Sequence, residues 1–233
     1  MVVLVDLVFN HADGKSPYEQ MYGEDYENSP YMHAESNDWG MPDFDHGKTG
    51  TRKLARATVK HWIKEYHIDG YRYDHTLGVG WDGINYFANE AYLADNSVYQ
   101  IAEHFDSNVG NLIALTRINS HWHDAFHDQM KANLRQGQFE GSYYGDMNTT
   151  EKGINYSADG FQDAEACVNY IESHDEQRII FEARTNGLSL AQALQKAELA
   201  AQVLLTSSGI PMFYMGAEFG MDTERTIDYN KLR

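Results

Sequence analysis

Five short apolar runs each deliver a carboxylate at or just beyond their ends, and this repeated design restricts the fold more than any other feature. They are Val2–Asp6, Gly70–Asp74, Val98–Glu103, Val168–Asp175 and Ile210–Glu218. Each reads as a buried strand, since strands covered on both faces show near-continuous apolar sequence. Helical patterns lie between them. Thr51–Tyr66 carries Leu54, Val59, Trp62 and Ile63 at one-face spacing, and Leu190–Leu205 is rich in Ala and Leu. Strands alternating with helices of this length give βα units and a parallel sheet joined by right-handed crossovers. The fold class is therefore α/β.

Spacing narrows the class further. A (β/α)8 TIM barrel of about 250 residues uses about 31 residues per unit. Asp74 and Glu103 stand one such unit apart. Glu103 and Asp175 are separated by two units, with an intermediate strand expected near Leu115–Asn119 and its helix at His121–Arg135. From Asp6 to Asp74 the chain spends one unit plus an excess that falls in Ala12–Gly50, a stretch rich in Gly, Pro, Asn, Asp and Tyr without sustained period. About six strands emerge where a closed barrel needs eight. The expectation is an incomplete barrel over residues 1–11 and 51–233, an internal stretch of a longer chain, with residues 12–50 inserted after the first strand.

Composition excludes several function classes. With 18 Lys+Arg against 35 Asp+Glu the net charge is −17, which repels phosphate backbones and anionic lipid, so nucleic acid is not an expected partner. No apolar run reaches the length of a membrane span, and no protein partner is implied. Cys167 is the single cysteine and cannot form an internal disulfide. The Met1–Asp6 start lacks the basic region of a signal peptide, which leaves the compartment open with the cytoplasm favoured.

In parallel α/β architectures the loops after the strands converge on one face, and chemistry gathers there. Any one strand-end acid can simply cap a helix or solvate a loop. Asp6, Asp74, Glu103 and Asp175 together, with His11, Arg72 and His174 beside them, favour a functional site.

These residues carry a family resemblance. Asp6-Leu-Val-Phe-Asn10-His11, Gly70-Tyr-Arg72-Tyr-Asp74, Ile101-Ala-Glu103 and Glu172-Ser-His174-Asp175 resemble, in order, the four conserved regions of the alpha-amylase family, glycoside hydrolase family thirteen. Met41-Pro42-Asp43-Phe-Asp45 and Gly209-Ile-Pro211-Met-Phe-Tyr214-Met-Gly216-Ala-Glu218 resemble its flanking motifs. The resemblance implies that the chain runs from the third barrel strand to the eighth, with Ala12–Gly50 a short version of the family's B domain.

It further implies retaining cleavage of α-1,4-glucosidic bonds in starch, glycogen or maltooligosaccharides. Asp74 resembles the nucleophile and Glu103 the general acid/base, the pair of carboxyls that retaining chemistry requires. Arg72 lies two positions before Asp74 on one strand, so both side chains share a face and the guanidinium can hold the carboxylate. Asp175 resembles the third carboxylate, which binds sugar hydroxyls. His11 and His174 resemble sugar-binding histidines, and Asp6 an acid that organises the site. Asn10 matches a calcium-binding position, although His75-Thr76-Leu77 departs from the Lys-His ending of calcium-dependent amylases. No cofactor is required for the chemistry.

His121, His123 and His127 could suggest a metal site but read better as a solvent-facing helix surface. Tyr22, Tyr26, Tyr31, Trp39, Trp81, Tyr143 and Tyr144 fall in or near loops where rings could stack on sugars. Two alternatives stand beside the hydrolase. A sugar acceptor in place of water would make the protein a 1,4-α-glucan branching enzyme, and loss of turnover would leave a carbohydrate-binding relative.

Overall fold

Val, Leu and aromatic residues dominate the segments that become strands, and their alternation decides which side chains reach the site. The computed structural model describes residues 1–23, 26, 28–105, 109–135 and 145–225. They pack as two units, Met1–His121 and Trp122–Arg233.

The first unit contains β1 (Leu4–Val8), α1 (Pro17–Tyr22), α2 (Thr49–Tyr66), β2 (Gly70–Asp74), α3 (Thr76–Ala94), β3 (Tyr99–Ala102) and α4 (Val109–Leu115), and leads into β4 (Ser120–Trp122). Strands β1 to β4 pair in chain order, each parallel to the next, with Asp6 opposite Arg72, Arg72 opposite Ile101 and Ile101 opposite Ser120. Tyr71 and Tyr73 of β2 turn to the helices: the Tyr71 hydroxyl donates to the Val59 carbonyl, and the Tyr73 ring lies 4.6 Å from Phe87. There they meet Ala55, Val59 and Ile63 of α2 and Ile84, Phe87 and Ala91 of α3, all buried. Truncating a side chain such as Phe87 to Ala would cost about 3–5 kcal/mol. Gly70 lets β2 approach β3, since a Cβ there would fall 1.9 Å from the Tyr99 carbonyl oxygen.

The described residues of 12–50 belong to this unit and pack around a small core of their own, Tyr26, Met32 and Phe44, with Tyr18, Tyr31 and Leu54 against it. Lys48 ties it together by donating to the carbonyls of Ser29 (2.9 Å) and Met32 (2.5 Å).

The second unit carries α5 (Asp124–Leu134), α6 (Met147–Ile154), β5 (Cys167–Asn169), α7 (Ile179–Thr185), α8 (Leu190–Thr206) and β6 (Ile210–Pro211), with β5 and β6 parallel. A Ser189–Gln192 capping box starts α8. Phe126, Met130, Ile171, Ile180, Ala193, Ala200 and Leu204 form the core.

Among the described residues the α/β class and six strands stand, while several boundaries move. Asp6 lies within β1, not at its end. The strand expected at Leu115–Asn119 forms instead at Ser120–Trp122, because the Thr116 hydroxyl bonds the Leu112 carbonyl and accepts from the Ile118 N–H, prolonging the helix end. The helix expected from His121 starts at Asp124. β5 stops at Asn169, and side chains then take over the backbone: Ser173 Oγ accepts the Asp175 N–H and Glu172 Oε1 the Ile179 N–H. β6 ends at Pro211, which has no N–H to give a ladder. Among the described residues no helix is long and apolar enough to cross a membrane.

Candidate active site

The face of β2 opposite Tyr71 and Tyr73 presents Arg72 and Asp74. The buried Arg72 guanidinium reaches one acid on its own strand and one from each of two neighbouring segments. Its Nη1 lies 2.9 Å from Asp6 Oδ1 and 2.7 Å from Asp74 Oδ1, and its Nη2 lies 2.8 Å from Glu103 Oε1. Strand register makes this possible, since Asp6 sits directly opposite Arg72 and Glu103 follows the end of β3. Burial alone would lower the Arg72 pKa, but Glu103, Asp6 and Asp74 outweigh it and the guanidinium is held more firmly charged than usual. Buried Arg72 with three carboxylates is the anchored centre of the first unit.

Glu103 is held on both oxygens, because the backbone N–H of His75 donates to Oε2 at 2.9 Å. His75 adopts a left-handed conformation (φ 40°), uncommon for a residue with a Cβ, and this turns its N–H toward Glu103. The Thr76 N–H and hydroxyl both donate to the Glu103 carbonyl at 2.8 Å. Burial lowers the His75 imidazole pKa, with nearby Asp74 opposing.

His11 stands outside the Arg72 cluster. It pairs with Asn10 (3.2 Å), and its ring meets the edge of Trp39 at 5.5 Å; Trp39 in turn meets His75 at 4.5 Å. Trp39 is exposed, so an indole beside the residue that follows Asp74 offers an apolar surface to solvent. Tyr26 is instead buried, and Tyr22 and Tyr31 pack on other rings, so loop packing claims these three. Trp81 is exposed, with its ring 6.0 Å from that of His104. Tyr143 and Tyr144 lie outside the described residues.

The second unit carries His174 and Asp175. Both side chains are about half exposed, and His174 Nε2 lies 3.2 Å from Asp175 Oδ2. Glu172 points inward to the Ile179 N–H and Arg178, and burial pushes its carboxyl pKa up.

The histidine surface expected to face solvent is buried. His121, His123 and His127 are at most 3% exposed. His123 bonds Asn169 and Asp159, both at 2.8 Å, and His127 stacks on Tyr170. The helical period of these histidines is legible in the sequence, but the partners that draw them inward come from distant segments. Cys167 is buried beside His123, and burial pushes its thiol up to about 12, so it is no nucleophile. Among the described residues, Asp124, His127 and Asp128 are the one group of acids and histidines spaced to share a cation. Asn10 Nδ2 lies 3.2 Å from His11 Nδ1, and the Asn10 backbone carbonyl accepts the Phe44 N–H at 2.9 Å.

A parallel α/β chain whose strands bring acids to one arginine belongs with the β/α-barrel enzymes. The match to known families makes this specific. The family model described as "Alpha amylase, catalytic domain" matches residues 15–233, and the chain belongs to the alpha-amylase family, glycoside hydrolase family 13, whose members are enzymes. A malto-oligosyltrehalose trehalohydrolase of Saccharolobus solfataricus is 26% identical over 94% of this chain and 43% of its own length. An Anoxybacillus alpha-amylase structure superposes with a TM-score of 0.78 at 19% identity, covering 98% of this chain and 51% of that one. A pullulanase from Anoxybacillus sp. LM18-11, solved with maltotetraose, gives 0.75 at 22% identity over 99% of this chain and 38% of that one. These likenesses show the alpha-amylase barrel fold. The chain spans less than half the length of the curated relatives it matches.

Proposed function

We propose that the protein cleaves α-1,4-glucosidic bonds in starch, glycogen or maltooligosaccharides with retention of configuration. The observation that carries this reading is the buried guanidinium of Arg72 contacting Asp6, Asp74 and Glu103 at once. It supports two carboxyls preset for separate tasks.

In the first step an Asp74 oxygen bonds the anomeric carbon while the bond to the leaving oxygen breaks, and Glu103 gives that oxygen its proton. In the second, ionised Glu103 takes a proton from water, the water oxygen bonds the anomeric carbon, and Asp74 is released. Glu103 has a donor at each oxygen, Arg72 and the His75 N–H, which hold its carboxyl in place for the proton transfer. Asp6 orients Arg72. Asp175, His174 and His11 bind hydroxyls of the sugar, and an α-glucan is the substrate partner. Residues 12–50 act as the B-domain wall of the cleft.

The test follows new reducing ends and new α-1,6 branches from amylose separately. We expect reducing ends without branches, and a loss of roughly a thousandfold or more in Asp74→Asn. Branches with few new ends would overturn hydrolysis in favour of transfer, toward which Met215-Gly216-Ala217-Glu218-Phe219 leans by its likeness to branching enzymes. Amylose binding with neither product would overturn both and leave a carbohydrate-binding protein.

A further inference from the structure

Asp175 lies well beyond the end of β5, on a loop with no ladder to hold it, and its side chain is half exposed. A carboxylate that binds sugar hydroxyls needs a fixed direction, so something other than the sheet must supply it. A chain of contacts within the second unit does so. It begins at Lys131 of α5, which is fully buried and whose ammonium donates to the Gln177 carbonyl and lies 3.0 Å from Glu182 Oε2. Gln177 is thereby pinned by its backbone, leaving its side chain to grip another segment. Its Nε2 donates to the Arg225 carbonyl (3.2 Å), and its Oε1 accepts the Arg225 N–H (2.7 Å), the two-point pairing of a strand partner made by one amide side chain. The segment beyond β6 is thus fastened to the loop. Arg225 then turns its guanidinium back: Nε donates to the His174 carbonyl, and Nη2 lies 3.8 Å from Asp175 Oδ1. His174 meets the other carboxylate oxygen, so Asp175 is bracketed.

We propose that Arg225, fastened by Gln177, is a positioning residue that orients Asp175 and His174 toward the glucan. The fork matters, since one group serves a carbonyl and a carboxylate at once, which a lysine ammonium does not reproduce with the same geometry. The Gln177 pairing uses only the Arg225 backbone, so R225A and R225K leave it in place. The proposal rests on the hydrolase reading above, with Asp175 as its third carboxylate.

The experiment measures kcat and KM on maltoheptaose for the full chain, for R225A, R225K, Q177A and D175N, and for the double variant R225A/D175N, with melting temperatures alongside. Activity in the wild type that vanishes in D74N establishes the underlying reading independently; its absence there overturns that reading rather than this one. Given activity, R225A should lose roughly ten- to a hundredfold in kcat/KM, the effect of one charge-assisted contact, with a melting temperature near wild type. R225K should recover part of the loss. The decisive result is the double variant: if Arg225 acts through Asp175, R225A adds little to D175N. An R225A penalty of the same size in the D175N background, or R225A at wild-type kcat/KM, would overturn the proposal. Should R225A fail to fold, Q177A tests the same fastening, and full activity in a folded Q177A would overturn it.

Discussion

Asp74 and Asp175 stand in similar sequence settings, each an acid after an apolar run, yet they are held in different ways. Asp74 closes a strand, is largely buried, and shares a buried guanidinium with two further acids. Asp175 sits on a loop, half exposed, with side chains of its own unit around it. Strand register is unforgiving, because a slip of one residue would send Arg72 and Asp74 to the aromatic face, so the geometry around Asp74 comes with the sheet. The geometry around Asp175 has to be built by contacts that no backbone ladder guarantees. On the proposed reading, groups held by the ladder suit bond-making, where a small misplacement is costly, and a loop suits an acid that meets hydroxyls of a mobile sugar.

Removing Arg72 should break this contrast most severely. Arg72→Ala leaves three acids facing one another without their cation, and activity on maltooligosaccharides should fall by roughly a thousandfold or more. Arg72→Lys should recover little of it, since a point charge cannot serve three carboxylates in separate directions. Near-wild-type turnover in Arg72→Lys would show that charge alone suffices, and the fork argument would fail.

Lys131 is a fully buried cation of the second unit, and its removal sharpens the comparison from the stability side. Lys131→Met keeps volume but abandons the Gln177 carbonyl and one partner of Glu182, with Arg135 left 3.5 Å away. Destabilisation of about 3 kcal/mol in urea unfolding is expected. A neutral result would mean that apolar packing at this position matches the ion pair, as replacements of buried charges sometimes do.

What is legible in the sequence divides along the same line. Arg72 and Asp74 can be assigned a shared face because strand periodicity reports orientation, and Glu103 joins them as an acid at the end of the next strand. The regular spacing of the acids also locates the βα units. Asp6 is found but expected at a strand end, since the apolar run gives no sign of which residue the partner strand will face. The surroundings of His123 and His127 read as solvent, because Asn169, Asp159 and Tyr170 come from distant segments. Arg225 and Gln177 leave no mark at all: an arginine after the last apolar run is ordinary, and only the folded loop pairs it with Gln177. His75 stands out as a departure from a motif, while its left-handed backbone, which aims an N–H at Glu103, has no signature in a non-glycine residue.

A smaller effect concerns His46, which fixes the inserted segment to the rest of the first unit. Its Nε2–H donates to the Phe9 carbonyl at 2.7 Å, and burial lowers its pKa below the ordinary 6.5. Below pH 6.5 the unfolded chain therefore binds more protons than the folded one. Stability from this group is complete above 6.5 and is lost as pH falls through that value toward the folded pKa, at no more than about 1.4 kcal/mol per pH unit. His75 shifts in the same direction for the same first cause. Melting measured from pH 7.5 to 5 should fall, and His46→Gln should flatten part of the slope. An unchanged slope in that variant would assign the acid sensitivity elsewhere.

The smallest expected change follows from Asn10. Its amide reaches His11, its carbonyl takes the Phe44 N–H, and its Oδ1 lies so close to Gly78 that a Cβ there would fall 2.1 Å from it. The Phe44 bond ties Asn10 to the inserted segment, and Gly78 sets its side chain against α3. A chelator such as EDTA should then leave both melting temperature and turnover unchanged, whereas Asn10→Ala, which strips a buried amide of its partners, should cost about 1–3 kcal/mol. A melting temperature that drops with EDTA and returns with calcium would reverse the assignment. It would mean that the oxygens near Asn10 rearrange around a cation, and that even the ladder-held half of the site depends on a loop for its final form.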